Sequence, residues 1–94
     1  MTVDGFGLLH AVAETNRAEL IPWMLEHGLD LEARTRRGYT PLHIACGLGH
    51  EAAAERLLRA GADPHAEAEG RDALQIAVAE DRPALAALLR GFGV

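Results

Sequence analysis

The chain is 94 residues long, 49% apolar but only 4% aromatic, with nine Lys+Arg against fourteen Asp+Glu for a net charge of −5. That is one globular domain's worth of chain, too apolar for a disordered tail and too poor in aromatics for a bulky sandwich core. The acidic balance disfavours nucleic acid and anionic membrane as partners, and because every basic residue is arginine, neither a Schiff-base lysine nor a lysine-dependent phosphate loop can be built.

The single cysteine, Cys46, excludes an intrachain disulfide framework and a Cys-rich zinc site, and favours a reducing, cytoplasmic setting. Residues 1–7 lack the basic-then-apolar pattern of a secretory signal, and every apolar stretch is broken by charge before membrane-spanning length.

One plan then runs along the chain three times. Sliding the sequence by 33 positions lays Gly5 on Gly38, Leu9 on Leu42, His10 on His43, Leu25 on Leu58, Gly28 on Gly61, Asp30 on Asp63 and Ala33 on Ala66. Self-similarity at such a period marks a repeat architecture. The third copy reads with eroded spacing: Gly38 to Gly70 and Leu42 to Leu74 are 32 apart, and Leu57-Leu58 recurs as Leu88-Leu89 after 31. That reading requires a deletion in each of two connecting turns. The units fall at about 4–36, 37–68 and 69–94 of a single domain.

In the first unit Ile21, Met24 and Leu25 make a helical stripe, and Pro22 near its first turn predicts a helix that starts late or bends. In the second, Thr40 is a good N-cap, and Pro41 is tolerated at the first helical position, where a missing N–H costs nothing. Leu42, Ala45 and Cys46 follow on one helical face, and Gly49 stops that helix. Ala54, Leu57 and Leu58 form the next stripe, ended by Gly61. In the third unit Asp72 caps a stripe of Leu74, Ala77 and Val78; Pro83 opens the last helix, with Leu85, Leu88 and Leu89 on its inner face. Helices of two or three turns do not stand alone in water, so stacking has to supply the stability.

Gly38-Tyr39-Thr40-Pro41-Leu42-His43-Ile44-Ala45, Gly49-His50, Leu57-Leu58 and Gly61-Ala62-Asp63 together resemble the ankyrin repeat, and the likeness covers essentially the whole chain. The first copy departs with Gly7-Leu8 for Thr-Pro and Asn16-Arg17 for Gly-His. The third has Ala73 for proline, Gln75 for histidine and Asp81-Arg82 for Gly-His, as expected of terminal copies whose outer faces meet water. The resemblance implies an all-α solenoid of three stacked helix-turn-helix units, with hairpin-like fingers at 29–39 and 62–72. It also implies a histidine at His10 and His43 that hydrogen-bonds locally and across repeats, and a concave protein-binding surface of finger tips and first helices.

Several residues invite a chemical reading. Gly47-Leu48-Gly49-His50-Glu51-Ala52 satisfies G-x-G-x-x-G/A, a dinucleotide fingerprint that needs a strand before it and a helix after. Here a Thr-Pro helix cap opens the preceding segment, so the stretch reads as an inter-helix turn. His43 and Cys46, at i and i+3, invite a metal or a thiol–imidazole pair. Zinc wants at least three protein ligands, and a nucleophile wants an orienting third group and oxyanion donors; neither set is visible. No catalytic residue, metal or cofactor is therefore expected. His27, His50 and His65 read as turn or surface residues. Trp23 is expected to pack partly against the neighbouring unit and partly to meet solvent, with core support its main role, and Phe92 to fold back over Leu88.

Arg34, Arg36 and Arg37 form the one basic cluster, flanked by Glu32 and by Glu67 and Glu69 of the next finger. Both solvated inter-finger pairing and a carboxylate- or phosphate-gripping role are open to it. Transferring the family's variable positions by register gives Val3, Asp4, Arg36, Arg37, Ala68 and Glu69 on the fingers, Phe6, Tyr39 and Arg71 just after the glycines, and Glu14, Thr15, Gly47, Leu48, Ala79 and Glu80 late in the first helices. Of these, Phe6, Arg36, Arg37, Tyr39, Leu48, Glu69, Arg71 and Glu80 are the expected partner contacts, with tyrosine and arginine the residue types favoured as anchors. The expected function is a non-catalytic protein–protein interaction module, a monomer or weak homodimer. The alternatives are a structural or inhibitor/immunity-type subunit of a larger complex, or self-association through the C-terminal repeat at Leu85, Leu88 and Phe92.

Overall fold

The computed structural model describes residues 8–92. It contains six α-helices among them: α1 (Leu8–Thr15), α2 (Ile21–Glu26), α3 (Pro41–Leu48), α4 (Glu51–Arg59), α5 (Ala73–Ala79) and α6 (Pro83–Gly91). They pair as α1–α2, α3–α4 and α5–α6, and the pairs stack so that α1, α3 and α5 form one layer and α2, α4 and α6 the other. Between the layers lies one continuous core that includes Leu9, Ala13, Leu42, Ala45, Cys46 and Ala77 from the first helices. From the second helices come Ile21, Met24, Ala53, Ala54, Leu57, Leu85 and Leu89. Alanine fills many of these positions, so neighbouring helices pack closely and few aromatics are needed.

The helix starts follow from local chemistry. The Thr40 hydroxyl accepts the His43 N–H (3.3 Å) while His43 Nδ1 accepts the Thr40 N–H (3.0 Å), a reciprocal cap that satisfies two otherwise orphan donors. Asp72 and Gln75 make the same exchange at the head of α5, at 2.8 and 2.9 Å. Pro22 has the effect read from the sequence. Lacking an N–H, it cannot bond back to the Ala18 carbonyl, and residues Ala18–Leu20 tighten into a 3-10 turn before α2 begins.

The turn inside each pair is built the same way three times. Asn16, Gly49 and Asp81 are left-handed, at φ 58°, 79° and 57°. Asn and Asp tolerate that region better than other side chains, which is why they replace glycine in the outer copies. The residues after Gly49 and Asp81 then reach back one repeat: His50 Nε2 donates to the Glu14 carbonyl (2.8 Å) and Arg82 Nη2 to the Gly47 carbonyl (3.3 Å). Asn16 Oδ1 adds a bond from the Ala53 N–H at 3.2 Å.

Two sequence expectations are corrected. Only one deletion separates the second and third copies. Ala53, Ala54 and Leu57 are buried in α4 as Leu85, Ala86 and Leu89 are in α6, a constant shift of 32, so Leu88 takes the outward place of Arg56 and stays only half-buried. The lost residue comes from the finger. Thr35 and Tyr39 close a three-residue loop on Gly38 (φ 88°), whereas Ala68 and Arg71 close a two-residue loop with Glu69 (φ 54°) and Gly70 (φ 81°) both left-handed. Val78, expected on the inner stripe, is 58% exposed, while its counterparts Ala13 and Cys46 are 0% exposed. Those two are covered by the first helix of the following repeat, and among the described residues no helix follows α5 in that layer. In α5 the buried residues are Ala73, Ile76 and Ala77.

Trp23 also departs from its expected place. It is 56% exposed and stacks on His27 (ring centroids 4.1 Å apart), whose Nδ1 donates to the Trp23 carbonyl at 2.8 Å. Phe92, at the end of α6, likewise remains exposed.

Candidate concave recognition site

The side-by-side placement of α3 and α5 leaves a groove of about 560 Å³ between them, closed at one end by the two fingers. Tyr39, Leu48, Glu69, Arg71 and Glu80, all expected as contacts, line it together. Arg36 and Arg37 are exposed on the finger of the second repeat. Phe6 lies outside the described residues. The sequence reading placed Gly47 and Ala68 at variable positions without choosing them as contacts and missed His43, Ile44 and Ile76; together these five make the floor and wall. One signal was available: Ile44 and Ile76 share a register position yet belong to neither inner stripe, which points them at something other than the layer interface.

The fingers are splinted to each other. Arg34 Nη1 donates to the carbonyls of Gly38 and Glu67, both at 2.7 Å, so this arginine holds one finger to the next. The Glu32 carboxylate accepts the Asp63 N–H at 2.7 Å. His43 Nε2 donates to the Ala66 carbonyl (2.8 Å), and His10 Nε2 lies 2.9 and 3.0 Å from the carbonyls of Ala33 and Tyr39. Each of these histidines thus ties a first helix to the finger beside it, as the resemblance implied.

Tyr39 packs edge-on against His43 with centroids 6.2 Å apart, and its hydroxyl donates to the Glu69 carboxylate of the next finger. That hydrogen bond holds the phenol above its ordinary pKa, with burial and the Glu69 charge adding to it; Arg37 and Arg71 pull the other way. Tyr39 therefore enters any encounter already oriented. Glu69 pays for its place with a left-handed backbone, a conformation that costs a non-glycine residue about 1 kcal/mol or more.

The chemical readings of the His43–Cys46 pair and of the glycine run find no geometry. Cys46 is fully buried, and burial pushes its thiol up to about 12. The native protein is expected to resist a chromogenic disulfide reagent at pH 8 and to react stoichiometrically once unfolded in guanidinium; rapid labelling of the folded chain would contradict this burial. His43 is engaged on both ring nitrogens, with its pKa lowered by burial. Gly47 lies within α3, with no strand before it, so the dinucleotide fingerprint is a helix end and a two-residue turn. Among the described residues no three His, Cys, Asp or Glu side chains gather as a metal site would require, and no helix is long and apolar enough to cross a membrane.

Stacked helix pairs joined by short fingers, with an open face between fingers and first helices, define a class of repeat solenoid. The chain belongs to the ankyrin-repeat family, whose model (ankyrin repeats, 3 copies) matches residues 8–93. It is 31% identical to human protein phosphatase 1 regulatory subunit 27 over 88 residues, covering 94% of this chain and 57% of that protein. It is 41% identical to mouse ankyrin repeat and SOCS box protein 16 over 71 residues, 67% of this chain and 16% of that one. A 41-residue stretch, 44% of this chain and 13% of the relative, is 49% identical to chicken NF-kappa-B inhibitor alpha. The chain thus spans little more than half the length of the phosphatase subunit and a small part of the other two.

Proposed function

We propose that this chain is a non-catalytic protein-binding module that holds its partner across the concave face, through Arg36, Arg37, Tyr39, Leu48, Glu69, Arg71 and Glu80, and through Phe6, which lies outside the described residues. The observation that carries the reading is the groove: five of the positions chosen from sequence register line one concavity, beside a tyrosine oriented by the neighbouring finger. The strained Glu69 supports it, because backbone strain persists where the surrounding structure or a function demands it. The names of the relatives, a regulatory subunit and an inhibitor, favour a module whose activity is binding itself, as a subunit of a larger complex. A lone, buried thiol suits a reducing, cytoplasmic setting.

The test compares baits in extracts of the native host. A partner retained by the parent chain and by Arg56→Ala, on the outer side of α4, is expected to be lost or weakened by about 1–3 kcal/mol with Leu48→Ala or Arg71→Ala. Both of those side chains are exposed, Leu48 at 45%, so the melting temperature should not move. Equal retention by all four baits would refute the concave-face assignment. Tyr39→Ala is a poorer probe, because Tyr39 also packs against the core.

A second reading is self-association through the C-terminal repeat. Leu85, expected at this contact, is instead buried in the core; the specific support is the apolar end face, where Val78 and Phe92 are exposed and Leu74 and Leu88 half-buried. Mass that rises with concentration in light scattering, and falls back to monomer with Val78→Glu, would establish it.

A further inference from the structure

The groove is not uniform along its length, and its gradient specifies what fits. At the finger end stand Arg71 and, beside Tyr39, Arg37, against the Glu69 carboxylate, which already accepts the tyrosine O–H, and the Asp72 carboxylate, which is occupied in capping α5. The floor is apolar: Ile44 on α3, Ile76 on α5, and Gly47 between them. At the far end, just past α5, stands the exposed carboxylate of Glu80.

Gly47 is the informative residue. Glycine inside a helix weakens it relative to alanine, and the register counterparts Glu14 and Ala79 both carry side chains. A Cβ built on Gly47 would meet only Ile76 Cγ2, at 3.7 Å, an ordinary contact. The protein's own packing therefore does not demand glycine here. What the missing side chain does is leave the floor of the groove open at its apolar centre.

Geometry selects the form of the occupant. Adjacent packed helices stand roughly 8–10 Å apart, too close for a third helix of about 10–12 Å diameter to sink between them, whereas an extended chain can. From Arg71 to Glu80 the groove runs along α5 for roughly 12–13 Å, which an extended chain rising about 3.3 Å per residue covers in about four steps.

We infer that the groove between α3 and α5 recognises an extended peptide segment carrying, within about five residues, an acidic side chain at the Arg71 end, an aliphatic side chain over Gly47 and a basic side chain at Glu80. The inference rests on the concave face being the partner surface and deepens it by naming the chemistry. The chain direction of the peptide is left free, so the triad can read acidic–x–aliphatic–x–basic or the reverse.

The probe is a displayed library of random peptides about twelve residues long, panned against the full chain. The selected sequences are expected to contain the triad in one of its two orders. Their affinity should fall about tenfold or more with Gly47→Leu, a helix-favouring change that fills the floor and should not lower the melting temperature. With Glu80→Arg the selected triads should exchange their basic end for an acidic one, a gain of function that a misfolded variant could not show. Selected peptides that Leu48→Ala or Arg71→Ala weakens, but that lack the triad or bind Gly47→Leu and Glu80→Arg as well as the parent, overturn this inference and leave the concave face standing as the binding surface. Selected peptides that all four variants bind as the parent does, or a panning that enriches none, overturn both.

Discussion

Leu57→Ala is expected to lower stability by about 2–5 kcal/mol and to leave little or no cooperative native transition in a thermal melt followed by circular dichroism. Leu57 is fully buried in α4, the middle helix of the second layer, and its register counterparts Met24 and Leu89 are buried in the helices on either side. Its neighbours along the helix, Ala53 and Ala54, have nothing to extend into the cavity that the truncation would leave. In a stack of short helices each repeat depends on its neighbours, so a defect in the middle copy weakens both interfaces at once. Leu58→Ala is the internal control. Leu58 is buried too, but less completely, and its counterparts are the half-buried Leu25 and the exposed Arg90, so the smaller loss is expected there. An unshifted, sharp transition for Leu57→Ala would mean that the core does not run continuously through α4.

The same register comparison shows which features a sequence can carry. Thr40, Pro41, His43 and Gly49 announce α3 because capping, proline placement and a left-handed stop are decided within a few residues. Which of two adjacent leucines faces inward is decided by the helix start, and Leu57-Leu58 and Leu88-Leu89 match equally well by eye at a shift of 31. The caps His50 and Arg82 fix the shift at 32, and with it the inward places of Leu57 and Leu89. Val78 was misplaced for a different reason: its residue type fits the stripe, but burial depends on a neighbour that the described repeats do not provide. The groove was half legible. Charged and aromatic residues at variable positions stand out in the sequence, whereas Ile44 and Ile76 look like ordinary helix residues until α3 and α5 are set side by side.

His43 links fold, finger and pH, and its replacement is the second large effect. His43→Ala would strand the Thr40 N–H and the Ala66 carbonyl, the two groups its ring now satisfies, at an expected loss of about 2–4 kcal/mol. His43→Gln should lose less, because Gln75 already performs the capping half of the role at the head of α5. Acid should then narrow the difference between the parent and His43→Gln. Burial lowers the imidazole pKa in the folded chain; the Ala66 carbonyl and Asp72 oppose that shift and Arg34 reinforces it. The unfolded chain, with an imidazole pKa of about 6.5, therefore takes up the proton first. The stabilisation supplied by neutral His43 is complete above that value and declines as the pH falls through it towards the lowered folded pKa. Carboxylates that titrate in the same range are common to both proteins and cancel in the comparison. The gap in melting temperature between the two should be widest near pH 7.5 and shrink on the way to pH 5; a gap that stays constant over that range would mean that the His43 proton is held as loosely in the folded chain as in the unfolded one.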